Sequence, residues 1–395
     1  MKQLDGFLLL NPPCRKFSML SRMISRIALA VGWSMLGCFG HAAEPLKIGI
    51  VAPLTGPAAE SGRYQTQGAK LAAEEVNQAG GVLGRPIELV IEDDQTTNPG
   101  IVLAFSKLAG DKDIPAFIGS VRSTQVHAMA PDIQRLGKPV MIGGTDPQLT
   151  HMGNPWLFRF RPNDTYSARV IADYGVKTLG KKKWVIVHST DAFGTNGMKN
   201  LVEALKGMGV EPALVQGYTN NSQDFTPVVL AVKQSGADVM GSYMTFETDV
   251  GIFAKQLLQL GVHNAWVGSP SIVTTTALKL AGPALSGSYA ITDFNRDSSA
   301  AAKEFAAKYE ATYKSTPDLF SAWPYDAVHM LALAINNANS LDPQKIRESL
   351  LSVKNYSGAE GAYNFDQNGD GLHGYNIVRN DNGKIVFITH IDFND

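Results

Sequence analysis

LKIGIVAP (46–53), RYQTQGAKLAAEEVNQ (63–78) and PIELVIED (86–93) decide the fold. The first and third are short apolar runs of strand length. The second places Ala69, Ala72, Ala73 and Val76 on one helical face and stops at Gly80 and Gly81. Strand, helix and strand in that order form a βα unit, and the unit recurs: helix PGIVLAFSKLAG (99–110), strand AFIG (116–119), helix STQVHAMAPDIQRLG (123–137), strand PVMIGG (139–144). This pattern predicts a doubly wound lobe on a parallel sheet. After FRFRPND (158–164) the cycle restarts with strands WVIVHS (184–189), ALVQGY (213–218), DVMGSY (238–243) and AWVG (265–268), each separated by a helix. Two helices follow, and the chain ends in the hairpin-like stretch GAYNF, GYNIVR, GKIVFITH. The expectation is an α/β protein of two Rossmann-like, doubly wound lobes.

The 395 residues are 44% hydrophobic and 18% charged, which excludes a disordered chain and a polytopic membrane protein. Net charge is −1, but the first 43 residues hold a local +4. The remaining body is mildly acidic and lacks the clustered cations that phosphate contacts require, so no nucleic-acid partner is expected. Arg22 and Arg26 precede the apolar run IALAVGWSMLGCFG (27–40), too short to span a bilayer, and GHAA (40–43) offers small residues for cleavage. The segment 1–43 therefore reads as an export signal cut after Ala42 or Ala43, giving a periplasmic protein. Cys14 and Cys38 both fall inside it, leaving no disulfide framework in the body. Cys38 imitates a lipid-attachment site, but Met35 and Leu36 fit that pattern poorly, so ordinary cleavage is expected.

Several strings imitate catalytic or binding motifs. GVKTLGKK (175–182) has phosphate-loop spacing but precedes a strand instead of following one, and reads as a helix end with a solvated lysine run. DQNGDG (366–371) begins like a calcium loop, yet the twelfth position is Ile377, so a tight turn between strands is favoured and no metal is expected. There is no GxSxG, no strand-borne GxGxxG and no HExxH among the seven histidines beyond residue 43. These absences favour binding over turnover, and no cofactor is expected. Ligands of open α/β lobes sit at the carboxyl ends of the strands, where helix N-termini suit a carboxylate. SVRSTQ (120–125) and GGTDP (143–147) offer that geometry.

These residues resemble the periplasmic leucine/isoleucine/valine-binding proteins, the solute receptors of ABC importers. The match runs through IVAPLTGPAAESGRYQTQGAKLAAEEVNQAGGVLG (50–84), EDDQTTNP (92–99), IGSVRSTQ, GGTDPQLT, FRFRPND, WVIVHSTDAFG (184–194), AWPYDAV (322–328) and FDQNGDG (365–371), nearly the whole body in order. The resemblance implies a type I periplasmic binding fold with a three-stranded hinge, the first lobe from 44–161 plus 292–353 and the second from 162–291 plus 354–395. It implies membrane permease subunits as partners and a small carboxylate as ligand. The carboxylate-holding serine falls at Ser123, and the Ala-Thr pair after a strand falls at Gly144 and Thr145.

Departures from the family pattern bear on the ligand. The family's tryptophan is Ser61, three ligand-facing tyrosines are Phe193, Phe246 and Phe320, and the glutamate that holds the ammonium of an amino acid falls at Pro270, beside Ser271. Two readings follow. Either the ligand keeps its carboxylate, paired with Arg122, and lacks an α-amino group, or Glu247 or Asp249 replaces the missing anion and the ligand is a branched-chain amino acid. The functional expectation is a non-enzymatic solute-binding protein of an importer; the alternative is a ligand-sensing receptor or regulatory module of the same fold.

Overall fold

A computed structural model describes residues 44–393. The export segment, its cleavage site and both cysteines lie outside the described residues. β1 (Leu46–Ala52) is buried along almost its whole length, as a central parallel strand covered on both faces must be. It pairs in parallel with β2 (Ile87–Asp93) on one side and β3 (Phe117–Ile118) on the other, and β4 (Val140–Ile142) and β5 (Leu157–Arg159) extend the sheet to the order β2-β1-β3-β4-β5. The second sheet repeats that winding: β6 (Trp184–Ser189), β7 (Leu214–Tyr218), β8 (Val239–Tyr243), β9 (Ala265–Gly268) and β10 (Tyr289–Thr292) run β7-β6-β8-β9-β10. Each sheet therefore has one place where consecutive connections depart in opposite directions, beside β1 and beside β6, and a crevice opens at the carboxyl ends there.

After β10 the chain returns to the first lobe. Helices Ala300–Tyr313 and Leu319–Ala338 cover that sheet, the latter lying against helix Ala59–Gln78. The two backbones meet at Gly68, where a Cβ would stand 2.0 Å from the Ser321 carbonyl oxygen, so only glycine permits the approach. A small ribbon, β11 (Tyr356–Ser357) and β12 (Ala362–Tyr363), precedes the final hairpin of β13 (Gly374–Asp381) and β14 (Lys384–Asp392), which adds antiparallel to β10. Asn382 and Gly383, with φ of 53° and 89°, make the tight turn of that hairpin. Among the described residues no helix is long and apolar enough to cross a membrane.

FRFR (158–161) shows how the lobes are joined. Period-two alternation sends Phe158 and Phe160 to one side and Arg159 and Arg161 to the other. The two phenylalanines pack on Phe365, with ring centroids 5.6 and 5.4 Å away, and Phe160 also meets Tyr363 at 5.2 Å. Arg159 forks onto Asp370 at 2.8 and 3.1 Å, while Arg161 pairs with Asp293. The first crossover thus grips the other two, at 293–299 and 364–373.

One expectation changes here. Residues 354–373 were assigned to the second lobe, but Ala359, Tyr363, Phe365 and Leu372 are buried in the first lobe's core, because Tyr363 and Phe365 share a face that meets Phe158 and Phe160. The chain joins the second sheet only at Gly374. DQNGDG forms the expected tight turn between two strands, and because β12 and β13 belong to different sheets that turn lies in the third crossover. Its Asp366 accepts the Asn368 and Asp370 N–H groups, and its Asp370 is spent on Arg159.

Candidate ligand-binding cleft

On the first lobe the wall is built by the turn after β3. Ser120 Oγ accepts the Arg122 N–H at 2.9 Å and donates to Gln125 Oε1 at 2.7 Å, locking the turn so that helix Ser123–Leu136 aims its N-terminus at the cleft. Arg122, the extended residue before that helix, is only 8% exposed. One guanidinium N–H donates to Ser61 Oγ at 3.1 Å, the plane lies 4.6 Å over the Phe246 ring of the second lobe, and Nε has no acceptor. Arg122 forms no ion pair among the described residues. Ser123 Oγ accepts the Asp146 N–H, which leaves its own proton available, and Thr145 Oγ1 donates to Asp164 at 2.8 Å.

The second lobe contributes from three strand ends. Asp191 caps helix Ala192–Gly207 and presents Phe193; Phe246 opens helix Glu247–Gln259; Pro270 and Ser271 form the turn after β9. From the first lobe, Phe320 enters at the head of helix Leu319–Ala338, which Asp318 and Ser321 cap reciprocally. Together these residues enclose a cavity of about 260 Å³. Hydrogen bonds cross between lobes around it, among them Ala192 N–H to Thr124 Oγ1, Asn196 Nδ2 to Asp146 Oδ2 and Thr275 N–H to Asp318 Oδ2, at 3.2, 2.8 and 2.9 Å.

Arg122, Ser123, Thr145, Phe193, Phe246, Pro270, Ser271 and Phe320 all line this cavity. Ser61 does not; it lies behind Arg122, donates to the Ala58 carbonyl and steadies the guanidinium. Gly144 is also off the wall, wedged so that a Cβ would meet Leu149 at 2.8 Å and the Ser123 Cα at 3.3 Å. Its smallness lets Ser123 approach.

The periplasmic binding protein profile aligns with residues 45–384. The chain belongs to that family. It is 29% identical over 330 residues to an amino acid binding protein of Pseudomonas aeruginosa, covering 82% of this chain and 87% of the relative. The crystal structure of a leucine-binding protein, LivK, from Thermotoga maritima superimposes with a TM-score of 0.82 at 25% identity, over 88% of this chain and 99% of that one. A solute-binding protein of an ABC transporter from R. palustris, solved with benzoate, shares the fold at a TM-score of 0.80 and 20% identity, over 89% and 98% of the two chains. The fold is thus that of type I periplasmic binding proteins.

Within this family member, sequence reasoning passed over Thr124, Arg161, Asp191, Asn220 and Thr245, which also face the cavity. Asp191 was visible as a helix cap in STDAFG, three residues before Gly194. Asn220 and Thr245 follow β7 and β8, the strand ends where ligands gather. Tyr243, by contrast, is fully buried, with its hydroxyl 2.6 Å from Ser167, and Tyr325 donates to Glu75 away from the cleft.

Burial perturbs several carboxyls near the seam. Desolvation pushes Asp164 and Asp318 up to about 7, against hydrogen bonds from Thr145 to the former and from the Thr275 and Phe320 amides to the latter. Asp326, under the first lobe, rises to about 7 for the same reason. A carboxyl whose pKa is higher folded than unfolded contributes stability fully below the unfolded value, about 4, and loses it as pH rises through the folded one. The expected outcome is a melting temperature that falls between pH 5 and pH 8, measured by calorimetry. A flat profile would show that these groups remain ionised.

Proposed function

We infer that the chain is an extracytoplasmic solute-binding protein of an ABC importer. It captures a small apolar carboxylate between its lobes, closes on it and presents the closed form to membrane permease subunits; it performs no catalytic step. The observation that carries this reading is Arg122: a buried guanidinium with no ion pair among the described residues, at the N-terminus of a fourteen-residue helix, against Phe246 and in a cavity that Phe193 and Phe320 also line. Charge-assisted forks and unpaired helix N–H groups both favour a carboxylate there. The volume, below the usual range for drug-sized ligands of about 300–1,000 Å³, suits a ligand of few heavy atoms.

The relatives' names support the class: an amino acid binding protein and a leucine-binding protein. The benzoate complex shows that the fold itself admits an aromatic acid. The basic and apolar segment 1–43 supports export to the periplasm. Phe193 and Phe246 come from the second lobe and Phe320 from the first, so a ligand that touches all three favours the closed form.

Thermal unfolding with leucine, valine, phenylacetate and coumarate tests the reading. Ligand at a hundred times Kd is expected to stabilise the folded chain by about 2.7 kcal/mol. If no carboxylate raises the melting temperature, the reading fails.

A further inference from the structure

The charges of the cavity wall define the ligand more narrowly than the reading above, on which this inference rests. We propose that the cleft selects carboxylic acids that carry no α-ammonium group and rejects the matching α-amino acids. The α-ammonium of an amino acid is one carbon from its carboxylate, so any partner for it must stand beside Arg122. Among the described residues that line the cavity, the charged ones are Arg122, Arg161 and Asp191. Arg161 is matched by Asp293. Asp191 already accepts the Gly194 N–H and Ser189 Oγ on one oxygen and Asn220 Nδ2 on the other, at 2.9, 3.0 and 2.8 Å. That leaves Arg122 without an ion pair and Asp191, held by three neutral donors of its own lobe, as the one carboxylate on the described wall.

Carboxylates do lie close to Arg122, but behind the wall. Glu247 is 3% exposed and Asp94 0%, and each holds an oxygen sealed from solvent without a partner. Neither faces the cavity, and Asp249 is sealed likewise, with its other oxygen taken by the Asn221 N–H. Burial raises the pKa of Glu247 and Asp94 against the lowering influence of Arg122. Asp318 is occupied by the Thr275 and Phe320 amides. At the position where an anion would be expected stands Pro270, and the neighbouring Ser269 and Ser271 hydroxyls, 3.0 Å apart, bond each other. An ammonium entering here leaves water, faces a guanidinium and finds no carboxylate that is free of other donors. Phe193, Phe246, Phe320 and Leu319 offer apolar contact to the body of the ligand, beside the neutral polar groups of Thr124, Gln125, Asn220, Asn221 and Thr245.

Calorimetric titration of the purified chain, refolded after denaturation to strip any carried ligand, tests this with matched pairs. 3-Phenylpropanoate is compared with phenylalanine, and 4-methylpentanoate with leucine. Each acid is expected to bind at least a hundred-fold more tightly than its amino acid. Ser271→Glu, which adds a carboxylate to the wall, is expected to narrow that gap at least ten-fold. Amino acids binding the parent chain as tightly as the acids, or a gap unmoved by the added carboxylate, overturns the proposal. 3-Phenylpropanamide separates this from the reading beneath it: an amide that binds as well as the acid defeats carboxylate capture while the rejection of ammonium stands, and no binding by any member of either pair defeats both.

Discussion

Arg122→Met is expected to weaken carboxylate binding about a hundred-fold without lowering the melting temperature of the ligand-free chain. The two effects have separate origins. Truncating one partner of a buried, hydrogen-bonded charge pair costs about 2–5 kcal/mol, and a hundred-fold change in Kd is about 2.7. In the ligand-free chain the guanidinium has no ion pair, and the Ser61 hydrogen bond, the face of Phe246 and the attraction of the buried Glu247 and Asp94 carboxyls offset its desolvation only in part. Methionine fills a comparable volume against Phe246 and removes that penalty. Arg122→Lys keeps the charge but loses the planar fork, so binding about ten-fold weaker than the parent is expected. Titration calorimetry and thermal unfolding of the three chains check this; a methionine variant binding within three-fold of the parent would remove Arg122 from the site.

How much of this was legible beforehand depends on the sequence distance over which each feature acts. β1, helix Ala59–Gln78 and β2 are local patterns, and their periodicities change from two to 3.6 and back within fifty residues. The turn at Ser120–Gln125 was equally readable, because a strand end followed by hydroxyl residues and a helix is one continuous segment. Ser61 and Gly144 were placed on the wall and belong one layer behind it, a displacement of a few ångströms that depends on side-chain direction. The three-stranded hinge was expected from the resemblance, but the pairing that ties its crossovers together was illegible. Arg159 and Asp370 are 211 residues apart, and nothing in FRFR or DQNGDG names the other as its partner. The choice between Glu247 and a missing anion was undecidable for a related reason: residue type shows that a carboxylate is near, while burial decides whether a ligand reaches it.

That hinge carries the largest expected loss of stability. Arg159 is fully buried, and its guanidinium forks onto Asp370, reaches the Asp146 carbonyl at 2.6 Å and touches Thr150 Oγ1 at 2.5 Å; its own N–H donates to the Gly369 carbonyl at 2.8 Å. Arg159→Met is expected to destabilise the chain by about 3–5 kcal/mol, because it strands the Asp370 carboxylate in the interior with the neutral donors Asn163 Nδ2, at 3.3 Å, and the Thr150 hydroxyl. Burial pushes the Asp370 carboxyl up, yet the Arg159 charge and hydrogen bonds outweigh it and hold it below the usual carboxylate range. Its contribution is therefore present above about pH 4 and lost as pH falls through the folded value, the opposite window from Asp164 and Asp318. Arg159→Met combined with Asp370→Leu removes both charges and is expected to recover more than half of the single-variant loss, since a matched apolar pair often equals a buried ion pair. Urea unfolding of the four chains of this cycle at pH 7 measures the coupling. Additive losses would mean that the two residues act independently and that the first and third crossovers are not joined through this pair. If the coupling is as large as the geometry requires, the double variant regains stability and, with the crossovers released from a directional fork, ligand affinity reports how far closure depended on it.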